Sequence, residues 1–134
     1  MSAAGKTSSA QVPGVVEAGI GRCESDREAA LGLPAGNHVE LAHRAEQLAS
    51  VAEREQSWWA MLAGWVRRPD SGLSPVFAMA VTAAQDQAGS DRMFWAETAR
   101  YWQHRAEGRS HEDATDAAKA AQTAAAPAGT GVSS

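Results

Sequence analysis

Apolar residues recur at helical spacing through residues 37–107, and no stretch alternates as a half-buried strand would. From Asn37 to Arg67 one face collects Leu41, Ala45, Leu48, Val51, Ala52, Trp58, Trp59, Leu62, Trp65 and Val66. So wide a stripe predicts one long helix over 37–67. Asn37 is a good N-cap, and Glu40 stands three residues on, as a capping box requires. Arg67 and Arg68 complement the dipole at the far end, and Pro69 stops the helix.

Pro69-Asp70-Ser71-Gly72 reads as a turn. Ser74-Pro75 then places Pro at the first position of a second helix, 75–88, whose apolar face is Val76, Phe77, Met79, Ala80, Ala83 and Ala84. Gly89 suits the residue after a helix end, and Ser90 suits the next cap. A third helix is therefore expected over 91–107, with Phe94, Trp95, Thr98, Ala99, Tyr101, Trp102 and Ala106 on its stripe. Gly108 ends it. Ser110 and Asp113 open an Ala-rich helix over 111–126, with Ala114, Ala117, Ala118, Ala121 and Ala125 on one face.

The N-terminal part is harder to read. Ser25-Asp26-Arg27-Glu28 has the capping-box pattern, so a short helix is expected over 25–31, closed by Gly32 and Pro34. Residues 12–21 mix apolar residues with three Gly and a Pro and hold no evident period. The resulting organisation is a mostly disordered segment 1–24, one helical domain 25–126, and a flexible tail 127–134. The fold class expected is all-α: a small helical bundle or an extended helical hairpin.

Composition strengthens the helical reading. Ala supplies 30 of the 134 residues, while β-branched and aromatic residues are sparse. Every Trp, Tyr and Phe lies within 58–102. Trp58 and Trp65 are seven apart, as are Trp95 and Trp102, so each pair shares a helix face about 10.5 Å apart. Trp59, Trp95, Trp102, Phe94, Tyr101 and Phe77 are the expected aromatic core. Trp58 and Trp65 lie at the edge of their stripe. Arg outnumbers Lys ten to two, which with the Ala content points to a GC-rich, bacterial coding sequence.

Charge and cysteine usage narrow the function. The formal net charge is −4, and no segment is net basic, so a footprint for duplex DNA or anionic membrane is absent. Cys23 is the single cysteine, which fits a reducing compartment. The first residues are small and polar, so no leader is expected and the cytoplasm is the expected location. The longest apolar run, Trp58–Val66, has nine residues, against about 20 for a membrane span.

Few residues offer chemistry. Glu55 falls inside the apolar stripe, so its carboxylate needs a partner; Arg100, Arg105 and His104 are candidates from the third helix. Glu40 and His43 match the Glu-x-x-His spacing of di-iron bundles, but only one copy occurs. Glu97, His104, Glu107 and His111 form a polar line that reads as a solvated face. No phosphate-binding Gly motif and no nucleophile elbow is present. No metal, cofactor or enzymatic activity is expected. The leading expectation is a helical protein-interaction module. It would self-associate as a homodimer through the 37–67 helix, with Trp58, Trp65, Glu55 and Leu62 as its face. The alternative is a DNA-associated transcriptional regulator, with 75–107 as a helix-turn-helix-like pair and Arg92, Arg100 and Gln103 as donors.

Overall fold

A computed structural model describes residues 11–124; the tail expected over 127–134 and the first ten residues lie outside the described part. The described chain is all-α, with no strand. Helix α1 spans Val12–Leu31, α2 His38–Val66, α3 Pro75–Ala106 and α4 His111–Ala124, with a 3-10 turn at Pro69–Ser71. Helices α2 and α3 form an antiparallel hairpin. His38 at the start of α2 stacks on Trp102 near the end of α3, and Arg67 reaches Thr82 at the opposite end. Helix α1 packs back along α2, and α4 packs back along the second half of α3. This is a small helical bundle.

The caps of α2 and α4 form as their sequences imply. Asn37 Oδ1 accepts a hydrogen bond from Glu40 N at 2.9 Å, and Glu40 Oε1 accepts one from Gly36 N at 2.9 Å. Ser110 Oγ accepts one from Asp113 N at 3.1 Å. Gly108 adopts φ +90°, and the amides of Gly108 and Arg109 bond back to the Arg105 and His104 carbonyls, a Schellman ending.

Two expected helix boundaries are corrected. Residues 12–24 are helical, so the short helix expected at 25–31 is the last part of the 20-residue α1. Val16, Cys23 and Ala30 are buried at seven-residue spacing, and Gly19 is buried between them. These positions form one seam, hidden in the sequence because two of its members are Gly and Cys. Pro13 falls in the first turn of α1, where its missing N–H costs nothing.

The second correction concerns the joint at Ala88-Gly89-Ser90. Helix α3 runs straight through it for 32 residues, so the separate helices 75–88 and 91–107 are one. Val81, Ala88, Trp95 and Trp102 are spaced by sevens along this single helix. Gly89 is buried here because Gln56 of α2 crosses it, with the amide nitrogen 2.7 Å from where a Cβ would lie. The glycine serves close approach, and the helix does not end.

The core is built from small residues. Among the described residues nine of the sixteen buried apolar ones are Ala, and no Trp is fully buried. Trp59, Trp95, Trp102 and Tyr101 are half-buried. Phe94 is 59% exposed and Phe77 43% exposed, so neither belongs to the core as expected. Phe94 instead meets Trp95 edge-on, with ring centroids 4.9 Å apart. The main apolar cluster is Val16, Leu62, Ala63, Val66 and Val81, where α1, α2 and α3 converge.

Two glycines in α1 test this packing with opposite signs. A Cβ at Gly19 would overlap the Trp58 ring, whereas one at Gly21 meets open space. Gly19→Ala is expected to destabilise by about 1–3 kcal/mol. Gly21→Ala is expected to stabilise by about 0.5–1 kcal/mol through helix propensity. Urea unfolding followed by circular dichroism checks both; the same sign for the two substitutions would contradict the packing.

Candidate functional site

Where α1, α2 and the start of α3 meet, an open groove of about 810 Å³ is left between the helices. Its lining comes from residues 13–24 of α1, from Trp59, Leu62 and Trp65 of α2, and from residues 77–84 of α3, with Leu73 added from the α2–α3 loop. The α1 side, Pro13 to Glu24, is about 16 Å long at 1.5 Å per residue.

The groove lies between two helices that do not close on each other. Helices α1 and α3 both pack on α2 and share no substantial interface of their own. Val16 and Val81 meet the buried cluster at the bottom. Gly21 of α1 and Ala80 and Ala84 of α3 are the small residues of the lining. Ile20, Trp59 and Trp65 are consequently packed on one side and partly exposed on the other. Phe77 and Leu73 are exposed at the margin.

The lining is apolar except for Glu17 and Glu24. Both carboxylates are exposed on α1. Among the described residues neither takes part in an ion pair. Among the described residues the lining contains no His, Cys, Ser, Thr, Lys or Arg. Such a surface can bind and orient an apolar group, with the two carboxylates as its ionisable groups.

The position of α1 is fixed by contacts further along α2. Trp58 lies against the backbone of Gly19, and the Arg22 guanidinium sits 5.8 Å above its ring. Glu55 pairs with Arg27 of α1, and its side chain is only 15% exposed. The partners considered on the third helix are thus the wrong ones. The adjacent residues Asp26 and Arg54 pair at 2.8 Å in a more exposed setting. Cys23 is buried in this same interface. Burial is the main reason its thiol titrates above its ordinary range.

The face expected to bind a partner is therefore divided. Glu55 and Trp58 are engaged by α1, Leu62 is buried in the core cluster, and Trp65 opens onto the groove. Sequence reasoning missed Val16, Ile20, Glu17 and Glu24. The signal was the 16–23–30 spacing, which places α1 beside α2 once Gly and Cys are counted as seam positions.

The other candidates separate. Glu40 caps its own helix, and His43 is exposed. His104 lies 3.6 Å from Glu107, while His111 hydrogen-bonds the Tyr101 hydroxyl at 2.7 Å. Among the described residues no group of three or more His, Cys, Asp or Glu is placed to hold a metal ion. Arg92 and Arg100 share a polar trough with Glu46 and Glu53, so the presumed DNA-reading face carries both signs of charge. No described helix is long and apolar enough to cross a membrane. No protein family, curated protein or solved structure matches the chain.

Two measurements check the α1 anchorage. A double-mutant cycle on Arg27 and Glu55 is expected to give a coupling of about 1–2 kcal/mol, against about 0.5 kcal/mol or less for Arg54 and Asp26. Equal couplings would place Glu55 in solvent. Cys23 is expected to resist maleimide at neutral pH until the chain is unfolded, since burial disfavours the thiolate. Its raised folded pKa contributes stability that is present below the ordinary thiol range. That stability is lost as pH rises through the folded value, so α1 should loosen in alkali. Labelling at the unfolded rate in native buffer would contradict a docked α1.

Proposed function

We propose that this protein is a non-catalytic helical interaction module and that the groove between α1 and α3 is its recognition face. The observation that carries this reading is one apolar surface holding Trp59, Trp65, Phe77 and Leu73, all left partly exposed, faced by an α1 side about 16 Å long. Half-exposed aromatics gathered in a concave site are the usual anchors of a protein interface. The length suits three turns of a helix, with anchors at i, i+3 or i+4, and i+7.

Self-association through Trp58, Glu55 and Leu62 has little free surface to use, because α1 and the core already engage those side chains. The regulator reading loses its helix-turn-helix pair, since 75–106 is one helix. An occupant covering only this groove falls below the area of standard complexes, so binding should be weak and exchange quickly.

The five Trp indole N–H groups give separate nuclear magnetic resonance reporters. Titration with a Trp-free, 18-residue Leu/Gln amphipathic peptide is expected to shift the Trp59 and Trp65 indoles and leave Trp95 and Trp102 in place. Ala80→Gln, which sets a polar chain across the groove, should weaken these shifts about tenfold. Shifts centred on Trp95 and Trp102, or none up to millimolar peptide, would remove the groove as the recognition face.

A further inference from the structure

We propose that the groove's occupant is a basic amphipathic helix from another chain, with its apolar side on Trp59, Trp65 and Phe77 and its cations against Glu17 and Glu24. This rests on the groove being the recognition face and adds the chemistry of the partner.

The first argument is charge. Among the described residues Glu17 and Glu24 are the ionisable ones of the lining, and no described cation accompanies them there. They stand seven residues apart on α1, so their Cα atoms are separated by about 10.5 Å along one edge of the groove. Gly21 lies between them with open space where its side chain would be. An incoming helix can pass an apolar side chain over Gly21 while two of its own residues, also seven apart, reach the two carboxylates. Lys or Arg at those positions forms two ion pairs beside an apolar contact, where screening by water is reduced.

The second argument concerns what else could lie there. Within this sequence, residues 1–10 hold Met1 as their one large apolar side chain, and residues 125–134 hold Val132. Neither segment has the i, i+3, i+7 anchors needed to fill about 810 Å³. A second copy would most readily offer the exposed stripe of α3, where Val76 is 72% and Met79 70% exposed. That stretch, 75–91, carries Asp86 and Asp91 and no cation. It would bring acid against Glu17 and Glu24. The rim therefore selects against this chain's own exposed helix and for a basic one.

The test uses the full chain and three Trp-free 18-residue peptides that share one Leu face and differ in carrying Lys, Gln or Glu beside it. Affinities are read from Trp emission and calorimetry at two salt concentrations. The Lys peptide is expected to bind about five- to tenfold tighter than the Gln peptide, and the Glu peptide more weakly than either. The spread should narrow as salt is raised. The double variant E17Q/E24Q should close the gap between Lys and Gln peptides, and E17K/E24K should reverse the order. E112Q/D116N, the same change of charge on α4, should leave the order as in the parent chain.

Equal affinity for the three peptides, or a gap that survives E17Q/E24Q, would overturn the basic partner while leaving the groove as a docking face. Binding of no peptide would overturn the groove itself. A dimer in sedimentation that A80Q dissociates would make a second copy the occupant and would also overturn the proposal.

Discussion

The seating of Trp58 on the bare backbone of Gly19 decides where α1 lies, and the groove follows from it. A helix of small residues has little bulk with which to hold a position. Close approach supplies what bulk cannot: the indole covers the glycine, Arg22 covers the indole, and the helices come near enough for Arg27 to reach Glu55. With α1 held this way, Val16 enters the buried cluster, and Ile20 packs against that cluster while lining the groove. A bulkier residue at position 19 would push α1 outward and change the width of the groove.

How far the sequence discloses this depends on side-chain size. Helix α2 is legible almost to the residue, because Asn37, Glu40, the Leu/Val/Trp stripe and Pro69 all point the same way and 38–66 is what forms. Helix α4 is legible from Ser110 and Asp113 for the same reason. Helix α1 is not, because glycine reads as a breaker in a composition-based view, whereas Gly19 is the residue its packing needs. Helix α3 is misread at the same residue type. Gly89 looks like a terminus, yet Val81, Ala88, Trp95 and Trp102 keep one heptad phase across it. Phase of the seam is a better guide than the identity of one residue within it.

The candidate site was legible only in part. Trp65 and Leu62 were visible as members of a face, and Glu55 as a carboxylate in need of a partner. What covers each of them depended on α1, whose course was hidden. Phe77 and Phe94 show a related error. Counting large apolar residues as core assumes that a bundle can enclose them, but the seams here are filled mainly by Ala and Gly.

That substitution of closeness for bulk has a consequence at the open end of the molecule. Tight seams need short side chains on facing helices, and a helix pair drawn together by Ala leaves no room between them for an indole. The tryptophans are therefore placed at the edges of the seams, half covered. At the His38 end the edge is occupied by rings and histidines: His38 stacks on Trp102, and Tyr101 packs on Trp102 and bonds His111. At the Val66 end Trp59 and Trp65 instead share an open lining with Gly21, Ala80, Ala84 and the exposed Phe77 and Leu73. The same packing rule thus gives an aromatic edge joined to histidines at one end and an open apolar groove at the other. The asymmetry between the two Trp pairs lies in their neighbours rather than in their spacing.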